Sequence, residues 1–189
     1  MEIDQVAGYR FACTQCGDCC RGRQAVALNR QDLILLARQR TMANTAELFS
    51  DGLVEPIRDG NGHWRPYIRF KRRPIRMCPF LQNEVTETGI VTGKCTMHPH
   101  SKPLVCQLAP LGRVLELENQ HEQRQLHEPS PGCPGMGKGD RRTIAADMAE
   151  FRERLDEEAK FFATLEQLSP LCNSPEAAIT KLFSFAVPD

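Results

Sequence analysis

Hydrophobic residues along this chain come in short, interrupted groups. Leu33, Ile34, Leu36 and Ala37 give one face of a helix, with Asn29 as its N-cap and Asp32 in the first turn. A second short helix is expected over Thr45–Phe49, stopping near Asp51-Gly52. Residues 1–12 read as an extended entry, and Ala25–Leu28 as a strand. Tyr67, Ile68 and Phe70 suggest another short strand among the helix breakers Gly60, Gly62, Pro66 and Pro74. Glu84–Lys94 is polar and carries Gly89 and Gly93, which suits a hairpin or loop. Pro103 is placed to start a short helix carrying Cys106. Arg113–Leu117 and Arg124–His127 can pair as strands, and Pro129–Gly139 reads as a tight loop.

The clearest periodicity comes late. Ile144, Met148, Phe151, Leu155, Ala159 and Phe162 recur at spacings of three and four, predicting one long helix over 141–168 whose stripe packs on the core. The tail, 169–189, holds Pro170, Pro175 and Pro188 and one short helix around Ala177–Phe183. The expected architecture is α+β: an irregular, loop-rich, metal-stapled domain with short strands and a long C-terminal helix. Residues 1–168 form the cysteine-cluster domain, and 169–189 a C-terminal tail.

Composition narrows the function. A length of 189 residues suits one domain with its own core. Twenty-four basic residues balance 24 acidic ones, which disfavours a globally basic nucleic-acid binder. The longest aliphatic run, Leu33–Ala37, is five residues, far short of a membrane span. The opening Met-Glu-Ile-Asp-Gln has neither a basic n-region nor an apolar h-region, so a cytoplasmic location is expected. Nine cysteines in such a chain point to metal or redox chemistry rather than a disulfide framework, and their odd number forbids complete pairing.

Four of the nine fall in Cys13-Thr-Gln-Cys16-Gly-Asp-Cys19-Cys20. Thiolates are soft ligands that favour zinc, copper(I) and iron–sulfur clusters. One C-x2-C pair is a zinc knuckle, but a third cysteine at the same spacing is the ferredoxin pattern, which wraps a loop around a cubane. Ferredoxins add a remote cysteine followed by proline, and both Cys78-Pro79 and Cys133-Pro134 qualify. Adjacent cysteines in extended backbone point to opposite faces, so Cys19 and Cys20 suit two nearby centres or one polynuclear centre. With Cys95 and Cys106 the candidate ligands number eight: Cys13, Cys16, Cys19, Cys20, Cys78, Cys95, Cys106 and Cys133. Cys172, in the tail, reads as a bystander. Gly17 and Gly22 would let backbone N–H groups approach sulfur. Arg21, Arg23 or the basic stretch Arg58–Arg76 could offset the negative charge of a thiolate centre.

Phe11-Ala-Cys13-x2-Cys16-Gly17-x-Cys19-Cys20-Arg21, then Cys78-Pro79-Phe80-Leu81, Gly93-Lys-Cys95, Cys106 and Cys133-Pro134-Gly135-x-Gly137 together resemble the YkgJ-like cysteine-cluster family. That is a bacterial family of zinc- or iron-chelating proteins, and the resemblance covers about residues 11–140. It implies that all eight cysteines are metal ligands. One departure is His98-Pro99-His100-Ser-Lys102-Pro103, where the family more often has a Tyr and an Arg-Pro pair. The same signature occurs in flagellin lysine N-methylases, longer chains thought to carry an iron–sulfur cluster. A shared cysteine pattern does not transfer their activity.

Other signals are weaker. Gly132-x4-Gly137-Lys138-Gly139 nearly spells a phosphate loop, but lacks its Ser/Thr. His98 and His100 read as surface or second-shell groups, because the cysteines already fill two four-ligand sites. His63, His121 and His127 are scattered. Trp64, Tyr67 and Phe70 among the arginines resemble a single-strand nucleic-acid surface, although an alternating strand with one solvated charged face explains them better. Nothing spells a Ser-His-Asp site, a carboxylate pair or HExxH, so no catalytic residue is assigned. The expectation is a metal protein holding an iron–sulfur cluster, with 4Fe–4S favoured, or zinc. Its partner is an unidentified protein or redox partner, with no membrane, and nucleic acid is disfavoured. The alternative is a structural zinc module for protein or nucleic-acid interaction.

Overall fold

The computed structural model describes residues 8–21, 25–72, 76–85, 87–89, 91–116 and 121–188. Gly22, Arg23, Pro74 and Leu117, named above among the expectations, lie outside the described residues, as do residues 1–7 of the expected extended entry.

The first helix, α1 (Arg30–Gln39), begins where the capping signal puts it. The Asp32 N–H donates to Asn29 Oδ1 at 2.8 Å and Asn29 N–H returns the bond to Asp32 Oδ2, so both orphan donors are satisfied. Leu33, Leu36 and Ala37 are fully buried. Helix α2 (Ala46–Ser50) follows, then the hairpin β2 (Val54–Arg58) and β3 (Trp64–Ile68). Trp64, Pro66 and Ile68 point inward on alternate positions of β3, as a half-buried strand requires. The Ala25–Leu28 segment contributes only a single bridge, Ala27 to Tyr67.

Two further hairpins flank the helix that carries Cys106 along the chain. Strands β4 (Leu81–Val85) and β5 (Val91–Cys95) pair in register, and β6 (Leu111–Glu116) pairs with β7 (His121–Leu126). Between them, α3 (Leu104–Leu108) starts after Pro103 and carries Cys106. The first strand, β1 (Gly8–Phe11), pairs antiparallel with β8 (Met136–Thr143), bringing the two ends of the cysteine region together. Among the described residues every sheet is therefore a two-stranded antiparallel pair, and such a pair is marginal without support.

The long helix expected over 141–168 differs in detail. Arg141–Thr143 belong to β8, where they pair with Tyr9 and its neighbours. Helix α4 (Ile144–Glu150) starts only after Thr143, whose hydroxyl caps the Ala146 N–H. The chain breaks at Phe151, and α5 (Arg152–Leu168) continues. The segment after 168 is built into the core. A 3-10 turn, Ser169–Leu171, leads to α6 (Pro175–Leu182), and Phe183 is fully buried and stacked on Phe49 at 5.6 Å. Thr45 fixes this end, since its hydroxyl accepts from the Phe185 N–H and donates to the Phe183 carbonyl.

Two apolar clusters result. The larger gathers α1, α2, β2, β3, the end of α5 and α6, and extends to Cys78, Phe80, Leu81 and Met97. The smaller holds Leu104, Leu108, Leu111, Ile144, Met148 and Leu155. Asp32 joins their frameworks. Its carboxylate accepts from the Leu104 N–H at 3.0 Å and from Arg154 of α5 at 3.0 Å, so one buried charge ties α1, α3 and α5. Leaving such a charge unpaired costs about 3–5 kcal/mol.

Candidate metal centre

The loop carrying four cysteines is held at three points. The Ala12 N–H donates to the Gly135 carbonyl at 3.1 Å, which fastens the residue before Cys13 to the turn containing Cys133. The Cys78 N–H donates to the Cys20 carbonyl at 2.8 Å. Between these, Gly17 takes φ +80° and rests on Gly93 of β5, where a Cβ on Gly93 would lie 2.9 Å from the Gly17 Cα. Arg21 completes this dock by donating to Asn83 Oδ1 of β4 at 2.8 Å and to the Cys16 carbonyl at 3.2 Å. Gly135 is needed for its own close approach, because a Cβ there would meet the Ala12 oxygen at 2.5 Å.

The remaining cysteines reach this face from separate elements. Cys95 ends β5 opposite Leu81, and the Leu81 N–H donates to the Cys78 carbonyl at 3.1 Å. Cys106 sits in α3, whose first turn is fixed through Leu104 by Asp32. All nine cysteines are free thiols, so disulfides play no part in holding these loops. Cys13 is exposed; Cys16, Cys19, Cys20, Cys95, Cys106 and Cys133 are half-buried; Cys78 is buried. Cys19 and Cys20 lie in a turn, not in the extended backbone expected, so their sulfurs are 3.9 Å apart rather than on opposite faces.

Electrostatics link them further. Cys19 is affected by its hydrogen bond with Cys20 and by the charges of Lys102 and Asp18, Cys78 by the charges of Cys95 and Cys19, and Cys95 by those of Lys102, Cys13 and Cys19. Cys16 and Cys133 form a further neighbouring pair. Burial pushes Cys78 up to about 12 and raises Cys95, Cys106 and Cys16. The hydrogen bond between Cys19 and Cys20 raises Cys20 and lowers Cys19. Most of these thiols therefore keep their protons near neutrality, and a soft metal must displace them on binding.

Lys102 was not singled out by the sequence. Its Nζ lies 3.4 Å from Cys13 Sγ, and its charge favours the thiolates of Cys19, Cys95 and Cys106. The signal was present as the lone cation between Cys95 and Cys106. Nearby, His98 is lowered by burial and by the charges of Lys102 and His100, and its Nδ1 is buried without a partner. Neutral imidazole is the metal-binding form. The basic stretch is used elsewhere. Arg58 stacks on Trp64 at 4.7 Å, Arg65 pairs with Asp59 and Glu166 at 3.1 Å each, and Arg76 stacks on Phe70 at 5.2 Å. Trp64 and Phe70 are themselves buried. Cys172 is 1% exposed in the core, where its carbonyl accepts from Trp64 Nε1. Lys138 lies inside β8, so no helix N-terminus follows it as a phosphate loop demands.

The chemistry of the donor set, free thiols on five segments, suits a soft metal. Among the described residues, however, no three His, Cys, Asp or Glu side chains already stand close enough to hold one ion.

A small α+β domain with cysteines collected from loops, a hairpin and a helix turn defines a class of thiolate-based chelating domains. The chain belongs to the CxxCxxCC family, described as a "Putative zinc- or iron-chelating domain", which matches residues 12–134. No curated protein and no solved structure matches it. Among the described residues no helix is long and apolar enough to cross a membrane.

Proposed function

We propose that this protein holds an iron–sulfur cluster, of the 4Fe–4S type, on its cysteine thiolates and works in the cytoplasm in electron transfer, sensing or cluster-assisted modification. The observation carrying this reading is the loop of Cys13, Cys16 and Cys19, three thiols at successive spacings of three, held by Ala12 against the Cys133-Pro134 turn. This reading is supported by the spacing, which with a remote Cys-Pro is the sequence pattern of a cubane-binding loop. The exposed Cys13 and the adjacent Lys102 give a partner access and offset negative charge. Protein purified without oxygen is expected to be brown, with broad absorbance near roughly 400 nm and matching iron and sulfide. Colourless protein with stoichiometric zinc would overturn the iron assignment.

A second reading is favoured by a different observation. Cys78 is buried, and Cys20, Cys95 and Cys106 pack on the core beside it, a closed setting typical of structural zinc. On this reading the domain is a zinc-stabilised interaction module. A chelator should then unfold the cysteine loops, and no redox titration should be seen.

A further inference from the structure

The β1–β8 ribbon treats the arginines of its two faces differently. Tyr9 and Arg142 stand opposite each other and turn inward, where Tyr9 packs on the smaller apolar cluster and its hydroxyl donates to Asp147. Arg142 is neutralised there by Asp147 and by Glu150, the latter at 3.0 Å. The next register pair is Arg10 with Arg141, and it belongs to the other face, since neighbours along a strand alternate. Both are exposed. The Arg141 side chain lies across Gly8, where any Cβ would collide with its Nε. Arg10 donates to the Gly139 carbonyl at 2.7 Å. Among the described residues neither guanidinium has a carboxylate within ion-pair distance. Like charges directly opposite each other weaken strand pairing, so the fold gains nothing from this pair.

The pair stands beside Cys13. Arg10 is three residues before Cys13, so at most about 11 Å of chain separates them. The register skips from Arg141 to Met136, so residues 137–140 form a short excursion, and its Gly139 rests on Ala12. Lys138, exposed, is carried on that excursion. Lys102 completes the set with its Nζ 3.4 Å from Cys13 Sγ. The nearby carboxylates are Asp140, on the same excursion, and Asp18, which Arg21 engages at 3.3 Å. Cations therefore predominate around Cys13, the one cysteine of the chain that is fully exposed.

We propose that the outer face of the β1–β8 ribbon, with Arg10, Arg141, Lys138 and Lys102, is the docking surface for an acidic protein partner that reaches Cys13. The inference rests on the reading of the cysteine loop as a site that serves a partner, and adds that partner's chemistry and its place of contact. Charge complementarity selects an acidic surface, and a small patch of one sign around an accessible group steers short-lived complexes. A single-stranded nucleic acid would need exposed rings on which to stack its bases. The rings of this ribbon are otherwise engaged: Tyr9 is turned to Asp147, and Phe11 lies against Gly135. The chain as a whole is also neutral, with 24 basic and 24 acidic residues, so the attraction is local to this face.

The test uses the full chain with fluorescently labelled decaglutamate as the acidic probe, followed by anisotropy, and with labelled oligothymidylate of equal charge beside it. Wild-type protein is expected to bind decaglutamate, more weakly as salt rises, and to prefer it to the oligothymidylate. The double variant R10E/R141E is expected to weaken that binding by at least about tenfold. Should it fail to fold, R10Q/R141Q must weaken binding in the same direction. K71E/R72E, which reverses two exposed cations of the basic stretch, is expected to leave it unchanged. The proposal is overturned if wild-type protein does not bind decaglutamate, if the ribbon variants bind it as well as wild type, if K71E/R72E is the variant that loses binding, or if oligothymidylate binds more tightly. Decaglutamate binding needs no iron. Wild-type protein purified without oxygen and found free of iron would therefore defeat the cluster reading and leave a positive binding result standing, whereas iron-loaded protein that ignores decaglutamate would defeat the docking surface alone.

Discussion

The helical body and the cysteine face of this molecule are held by different means. In the body, α1, α2, α5 and α6 close over fully buried Leu33, Leu36, Leu48, Leu165 and Phe183, apolar contacts that include no thiol. On the face, two-stranded hairpins and loops carry polar, exposed strands; four of the five residues of β4 are exposed. The contrast teaches where the protein depends on bound metal. The body supplies the stability of the fold, while the face is shaped by close glycine contacts, a few backbone bonds and the thiols.

The sharpest way to separate the two is to damage the body alone. Phe183→Ala removes a fully buried ring and should cost about 3–5 kcal/mol in urea denaturation, by the same amount with metal present or chelated. A dependence on metal would mean that the two regions are not energetically separate.

Asp32 lies on the boundary, so its loss should be felt in both regions. Asp32→Asn places an amide among donors and is expected to cost about 1–3 kcal/mol. Burial raises the Asp32 carboxyl to about 7, against the ordinary carboxylate range of the unfolded chain. The folded state thus holds the extra proton more tightly. The contribution is full below about pH 4 and is lost as pH rises toward about 7. Urea midpoints at pH 5 and pH 7.5 should differ less in the Asn variant than in wild type. An unchanged difference would remove Asp32 from the account.

Gly93→Ala acts on the face alone. The new methyl meets the Gly17 Cα at 2.9 Å, and overpacking of this kind costs about 1–3 kcal/mol. Metal should leave this variant faster in a chelator competition, while the far-ultraviolet helix signal stays as in wild type. The smallest effect is expected from Lys102→Met. A partly exposed charge contact is worth about 0.2–1 kcal/mol, so metal affinity should fall by no more than about fivefold, with Lys102→Arg largely restoring it.

The same contrast governs how much could be read from the sequence. Asn29 and Asp32 marked the start of α1, the Gly-rich polar stretch marked the β4–β5 hairpin, and Pro103 marked the helix carrying Cys106. These are local signals. Strand β8 was missed because Met136–Thr143 has almost no buried side and is fixed by backbone pairing with residues far earlier in the chain. The break at Phe151 interrupts an apolar stripe that runs through it, so periodicity gave no warning. Packing of Phe183 under α2 depends on Thr45, again a distant partner. The candidate ligands were legible because residue type and spacing carry their chemistry. The docking of their loop was not legible, because the bonds of Cys20 with Cys78 and of Ala12 with Gly135 join residues far apart in the chain.

The most direct measurement is a native mass spectrum of the full chain, isolated without oxygen and compared with the same sample after acid removal of bound inorganic species. The account predicts a mass excess equal to iron plus sulfide, and shielding of Cys13, Cys16, Cys19, Cys20, Cys78, Cys95, Cys106 and Cys133 from alkylation until that excess is removed. A bare polypeptide mass, with those eight thiols reacting freely or lighter by the hydrogens lost in disulfides, would contradict it.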